Sequence, residues 1–302
     1  MEHLFLINPS AGKSDCTAEI IASAQALCDT LNEPYEIFRS EYPGHLTEKV
    51  QLVGKTGRET RLYACGGDGT LNEVVTGAVG YHNLSVTCFP CGSGNDYIKQ
   101  FPHPEAFADL KNFNKTVSHQ VDLIDAGGHY AVNVCSVGFD ARIGTAIDTY
   151  RHMPLLSGPR AYHASVAVNL LKGVSKPCRV ELEGGTIIDG ALTLVCVCNG
   201  SWYGGSYHPV PEASIVDGIL DVLVVKKVSR ITVARVISAY QKGRYAEYPQ
   251  LISHFRTHSL RISTPQPEPV NLDGELIFSS DLSIHVLPKA LHFFSPSNAW
   301  NK

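Results

Sequence analysis

Short apolar runs alternate with longer segments of helical period through the first third of the chain. The runs 3–7, 35–39, 61–65 and 84–89 are strand-sized and rich in aliphatic and aromatic residues. Segments 16–30 and 46–55, and one opening at Thr70, instead space their apolar residues three and four apart. This β-α-β-α rhythm predicts a parallel sheet covered by helices on both faces. Asp15 stands where a helix N-cap is expected, and Gly57 where a helix would stop. Beyond Asp122 the texture changes. Strand-like runs at 130–137, 178–182, 186–188, 191–199, 219–225, 260–263, 270–272 and 282–287 follow one another through turns, interrupted by helical insertions at 160–171 and 229–242. That series predicts an antiparallel β-sandwich. The expected architecture is an α/β domain over 1–122 and an all-β domain over 123–302, with the last residues free to return to the first. Pro265-Gln266-Pro267-Glu268-Pro269 reads as a stiff connector before a strand.

Composition narrows the class. A chain of 302 residues suits two domains, and 44% hydrophobic with 18% charged residues excludes disordered and fibrous proteins. The net charge of −4 offers no global positive field for a phosphodiester backbone, so nucleic acid is not the expected partner. The longest strongly apolar stretch, 191–198, is far shorter than the ~18 to 20 residues that cross a bilayer. The apolar run after Glu2 ends at Asn8, too soon for a signal peptide, and a cytoplasmic protein is expected. Nine cysteines, an odd number, read as free thiols. The Cys88-x-x-Cys91 pair has no second pair or spaced histidines beside it, and Cys196 and Cys198 share one face of a buried strand.

The chemistry lies in glycine-rich turns at strand ends. Gly66-Gly67-Asp68-Gly69-Thr70 joins a strand to a helix, where glycines permit close backbone approach and the helix aims free N–H groups at an anion. Asp68 would repel a bare phosphate, so it is expected to order Mg²⁺ and water around a nucleotide. Two further turns, Asn8-Pro9-Ser10-Ala11-Gly12-Lys13-Ser14 and Pro90-Cys91-Gly92-Ser93-Gly94-Asn95-Asp96, end strands at the same sheet edge. Ile7 breaks a Walker A pattern, Asn72 breaks G-x-G-x-x-G, and the flanks of Ser93 break G-x-S-x-G. P-loop, dinucleotide and α/β-hydrolase readings fall away.

Gly66-Gly67-Asp68-Gly69-Thr70-Leu71-Asn72-Glu73-Val74 resembles the signature of the diacylglycerol kinase catalytic domain, and the whole chain resembles a bacterial lipid kinase of that superfamily. The likeness extends through Gly92-Ser93-Gly94-Asn95-Asp96, Val121-Asp122-Leu123, Gly138-Phe139-Asp140-Ala141, Asp217-Gly218-Ile219 and Leu272-Asp273-Gly274-Glu275. It implies an ATP site between the two domains, with Asn8, Ser10, Gly12, Ser40, Gly66, Gly67, Asp68, Gly69, Thr70, Asn72, Glu73, Gly92, Ser93 and Asn95 around the nucleotide. Ser40 and Ser93 stand where that family usually has Thr and keep the hydroxyl. Asp273 is implied as the general base, with Glu275 and Asp68 supporting it. Asp68, Asp96 and Asp122 are implied around Mg²⁺, and Asp217, with the carbonyls of Ser214 and Ile219, at a second divalent site.

The expected activity is ATP-dependent phosphorylation of a lipid hydroxyl, diacylglycerol by default, at a membrane surface touched peripherally. Arg151, Arg160 and Lys172 are the candidate headgroup contacts, and the chain shows no obvious basic amphipathic helix. The glycine-bearing aromatic loop Trp202-Tyr203-Gly204-Gly205-Ser206-Tyr207 reads equally as a sandwich corner or an acyl-chain lip. An NAD kinase, which shares Gly66-Gly67-Asp68-Gly69-Thr70, is the alternative enzyme; a catalytically silent nucleotide-binding regulator or lipid carrier is the alternative class. A homodimer is left open.

Overall fold

The computed structural model describes residues 1–12, 15–92, 94–142 and 174–300. The helical insertion expected at 160–171, with Arg151, Arg160 and Lys172, lies outside the described residues, as do Lys13, Ser14 and Ser93.

The N-terminal half forms β1 (Glu2–Ile7), α1 (Thr17–Leu31), β2 (Tyr35–Arg39), α2 (His45–Gly54), β3 (Thr60–Gly66), α3 (Asp68–Ala78) and β4 (Leu84–Pro90). All four strands are parallel in the order β4-β3-β1-β2. β1 and β3 are almost wholly buried, as strands covered on both faces must be, and β4 is buried except at Ser85 and its last two residues. The chain steps from β1 outward to β2, then crosses back over β1 to β3. With right-handed crossovers this reversal sets α1 on one face and α2 and α3 on the other. Crevices for ligands open at such reversals, beyond the carboxyl ends of the strands; here that is the gap above β1 and β3.

The strands that follow pair antiparallel with one another: β5 (Thr116–Ala126), β6 (Tyr130–Ala131), β7 (Val134–Gly138), β8 (Lys176–Leu182), β9 (Ile187–Cys198), β10 (Leu220–Lys226), β11 (Ile252–Thr257), β12 (Ser259–Leu272) and β13 (Glu275–Pro296), with α4 (Arg230–Gln241) after β10. β9 and β12 change partners along their length, so that β7 and β8 each pair with both. The β-sandwich core they enclose includes Val180, Val195, Val222, Ile262 and Ile284. α4 packs Val236 and Tyr240 onto the outer face of β9 and β10, and Ser229 caps it by accepting the Thr232 N–H at 3.1 Å.

Four strand expectations change. Runs 260–263 and 270–272 belong to one strand, β12. The proline-rich stretch between them is a bulge: the register slips between Ser263 and Glu268, because Pro265 and Pro267 have no N–H for the ladder. Runs 186–188 and 191–199 likewise merge into β9. The run 130–137 instead breaks at Val132 and Asn133, whose N–H groups turn to a side chain described below. β13 is far longer than 282–287: it leaves the sandwich, pairs with β5, and meets β4 in parallel at Phe293↔Val86. Phe293 and Phe294 then lie in the N-terminal core with Tyr97, Phe101 and Phe107.

Candidate active site

Three glycine turns meet above β1, β3 and β4. Gly12 adopts φ +82°, and a Cβ there would collide with the carbonyl oxygen of Cys91. A Cβ on Gly92 would come within 2.5 Å of the Gly67 Cα. The turns are stitched by Cys91 N–H to Gly66 O at 2.8 Å and Asn8 Nδ2 to Thr70 Oγ1 at 3.2 Å, and Asn95 Nδ2 braces its own turn on Gly92 O at 2.7 Å. Ser10 N–H bonds Asn8 Oδ1 at 3.0 Å, and Ser40 N–H bonds the last carbonyl of β1 at 2.9 Å. Helix α3 begins at Asp68, two residues before the expected Thr70, and its N-cap Gly67 provides no side chain to occupy the first amides. Those amides and the helix dipole suit a phosphate. Asn72 points elsewhere, donating to Tyr130 O at 2.8 Å. Glu73 holds an oxygen, Oε2, buried and without a hydrogen bond among the described residues.

Acidic groups crowd this cradle. Asp68 Oδ1 accepts the Asp96 N–H at 2.6 Å. Its carboxyl is pushed up in pKa, first by burial and next by the charge of Asp96. A Cβ on Gly94 would touch Asp68 Oδ2 and lie 3.7 Å from Asp96 Oδ2, so the two carboxylates flank one glycine. Paired hard oxygens whose repulsion a cation would relieve fit Mg²⁺. Asp96 is also tied across the domains: Lys99 Nζ bonds its Oδ1 at 2.6 Å, and the Gly205 N–H bonds its Oδ2 at 2.8 Å. Lys99 reaches Gly205 O at 2.6 Å and lies over the ring of Trp202. The aromatic loop is thus fastened to the acidic turn.

From the sandwich side comes the β12–β13 hairpin. Asp273 sits at φ +52°, a left-handed turn position that Asp tolerates. Its Oδ2 accepts the Val132 N–H at 2.5 Å, while its Oδ1 accepts those of Val134 at 2.8 Å and Asn133 at 3.1 Å. Burial outweighs these donors and pushes its pKa up to about 6. The charge of Asp68 adds to that rise. Glu275 reaches from the same hairpin to the start of α3, its Oε1 3.3 Å from where a Cβ on Gly69 would stand.

The two other implied acidic positions carry bonds within the second half of the chain. Asp122 is buried, and its oxygens accept the Lys289 and Gly218 N–H groups, each at 2.7 Å, so it joins turns of the second domain. Asp217 Oδ2 binds Arg256 Nη2 at 2.5 Å, and its Oδ1 accepts the Ile219 N–H at 3.2 Å. The Arg256 guanidinium thus sits on the carboxylate that the resemblance implies, with the carbonyls of Ser214 and Ile219, at a second divalent site. No cluster of three His, Cys, Asp or Glu suited to a metal occurs among the described residues.

Sequence reasoning missed a cavity of about 880 Å³ beneath α4. Its walls include Val233, Val236, Ile237, Tyr203 and Tyr240, with Asp140 and Asn271 as polar members. Asn271 stands two residues before Asp273, and Asp140 Oδ2 is buried without a hydrogen bond among the described residues. The Gly138-Phe139-Asp140-Ala141 motif was a signal for it, but its neighbours across the fold were not.

Residues 133–295 match the model of the YegS C-terminal NAD kinase beta sandwich-like domain, and residues 2–128 match that of the diacylglycerol kinase catalytic domain. The chain belongs to the YegS-like branch of the diacylglycerol kinase catalytic-domain superfamily, a family of lipid kinases. A protein of Shewanella frigidimarina called "Probable lipid kinase YegS-like" is 29% identical over 246 residues, covering 79% of this chain and 77% of its own. The crystal structure of a diacylglycerol kinase from Bacillus anthracis superposes with a TM-score of 0.69 at 20% identity, covering 98% of this chain and 97% of the other, and shares the fold. No helix among the described residues is long and apolar enough to cross a membrane.

Proposed function

We propose that the protein transfers the γ-phosphoryl group of ATP to a lipid hydroxyl, with diacylglycerol the first substrate to test. The supporting observation is Asp273: a carboxylate oriented by three backbone amides, raised to a pKa of about 6, on a hairpin that faces the glycine cradle. A base poised just below neutral pH is ionised at work and still proton-hungry. In this reading the amides at the start of α3 and the turns at Gly12 and Gly92 hold the phosphates. Glu275, Ser10, Ser40 and Asn95 line the approach. Asp273 accepts the proton of the lipid hydroxyl as its oxygen bonds the γ-phosphorus and the bond to the β-phosphate oxygen breaks, releasing ADP. Asp68 and Asp96 would hold Mg²⁺, which when bound offsets the charge of the phosphates. The apolar cavity supports a lipid acceptor, since pockets of this size and lining take hydrophobic ligands.

The test is labelling of a total lipid extract with Mg²⁺-ATP by the wild type and by Asp273→Asn. A labelled lipid that depends on Asp273 supports the reading. Formation of NADP from NAD at a comparable rate would replace it with the NAD kinase alternative, and ATP binding with no acceptor would favour a silent regulator.

A further inference from the structure

Seven of the nine cysteines are buried, while Cys16 and Cys91 are half-buried. These two come from different turns of the glycine cradle. Cys16 is the N-cap of α1, at the far end of the turn that begins at Asn8, and Cys91 follows β4 between Pro90 and Gly92. Both pack against the same core, and the Cys91 thiol lies within hydrogen-bond reach of the Cys16 thiol. The Cys88-x-x-Cys91 spacing, by contrast, does not make a pair. Residues three apart on an extended segment project to opposite faces. Cys88 is buried where the charge of Asp68 reaches it, whereas Cys91 feels those of Cys16 and Glu19. With no third ligand among the described residues, two touching thiols suit oxidation rather than a metal.

We propose that Cys16 and Cys91 form a reversible disulfide, driven by hydrogen peroxide, that distorts the phosphate cradle. The crosslink stands on the two thiols alone; its effect on ATP rests on the kinase reading. The Cys91 thiol is pushed up to about 12 in pKa, chiefly by burial and next by the charge of Cys16. It therefore keeps its proton, and Cys16 is the sulfur that meets the oxidant first. The Cys16 sulfur takes one oxygen as the O–O bond breaks, which gives a sulfenic acid and one water. The Cys91 sulfur then bonds the Cys16 sulfur as the S–O bond breaks, and the Cys91 proton leaves with the hydroxide as a second water. Two thiols are oxidised and one peroxide is reduced. The new bond draws the sulfurs from hydrogen-bond contact to ~2.05 Å. The cradle has little room to follow, because Gly12 already packs on the Cys91 carbonyl too tightly for a Cβ, and the Cys91 and Gly92 N–H groups both bond Gly66 O. Oxidation thus displaces the turns that hold the phosphates.

The experiment treats the reduced full chain and its Cys16→Ser variant with a small excess of hydrogen peroxide. Serine is a favoured N-cap, so the variant keeps the start of α1. Thiol titration of the oxidised, unfolded wild type should find two fewer free thiols than the nine of the reduced chain, while the variant loses none. Peptide mapping should join the peptides that hold Cys16 and Cys91. The dissociation constant for ATP should rise about tenfold or more on oxidation of the wild type, since displacements of ~1 Å in a positioned site are felt on that scale. Dithiothreitol should restore both the thiols and the affinity, and Cys16→Ser should bind ATP alike before and after peroxide. A link through any other cysteine, a thiol loss that dithiothreitol does not reverse, or an unchanged ATP affinity in the fully crosslinked chain overturns the proposal. If the Cys16–Cys91 link forms and reverses while the reduced chain itself binds no ATP, the thiol pair stands and the kinase reading falls.

Discussion

The Asp273 carboxylate accepts the Val132 N–H at 2.5 Å, so a residue of the last hairpin holds open the break between β6 and β7. The bond ties structure to chemistry. Replacing Asp273 by Asn keeps the shape but turns one acceptor atom into an N–H₂ facing amide donors, and at least one of the three bonds is lost. Turnover should fall 10²- to 10⁴-fold, the usual worth of a general base. The affinity for ATP should hold within about threefold, since no phosphate contact changes. Steady-state kinetics with equilibrium ATP binding checks both; turnover near that of the wild type would pass the role of base to Glu275.

A pKa of about 6 gives the activity a direction in pH. Above it the carboxylate is ionised and the rate is flat; below it the rate should drop about tenfold per pH unit. Stability runs the other way. The raised pKa means that the folded state holds this proton more tightly than the unfolded chain does. Asp273 therefore favours folding most at low pH, and that contribution is lost as pH rises from the unfolded value of about 4 to about 6. A pH–rate profile whose acid limb is the same in wild type and Asp273→Asn would rule Asp273 out as its source.

The turns above β1, β3 and β4 were legible because glycine, Asp and Asn stood within a few positions of one another, and the parallel rhythm placed them at one edge. What lay beyond reach were partnerships across long separations. The amides that hold Asp273 come from 132–134, and the oxygen that Lys99 finds is on Gly205. β13 hid because Ser279, Ser280 and Asp281 interrupt its apolar pattern, although they pair in its ladder or flank it on the exposed side.

Two glycines of the cradle should respond differently to the same change. In Gly92→Ala the new Cβ meets the Gly67 Cα at 2.5 Å, backbone against backbone, and two turns must part. Both melting temperature and ATP affinity should fall. In Gly69→Ala the nearest atom is the far end of the Glu275 side chain at 3.3 Å, which can swing aside. Stability should change by less than about 0.5 kcal/mol, as at ordinary surface sites, while ATP affinity still falls because the methyl group enters the phosphate space. Calorimetry on both variants, with and without ATP, separates the two effects.

Arg256 makes the last prediction. It binds Asp217 at 2.5 Å and lies 3.5 Å from Asp221, a buried carboxylate that also bonds His254 at 2.7 Å. The guanidinium is the local cation where the resemblance implied a divalent ion. In Arg256→Gln, Asp217 loses its counter-charge and Asp221 keeps His254 as its ion-pair partner among the described residues. Because Arg256 is half exposed, the loss should be modest, ~1 kcal/mol or less, or a few degrees in melting temperature. A site emptied of its internal cation can then accept one from solution, with Asp217 and neighbouring carbonyls as hard oxygen ligands. Added Mg²⁺ or Ca²⁺ should therefore restore much of the lost melting temperature in Arg256→Gln, beyond any rise in the wild type from Asp68 and Asp96. Thermal melts of both proteins across a divalent titration decide the matter: equal rises would mean that Arg256 and a metal do not compete for Asp217.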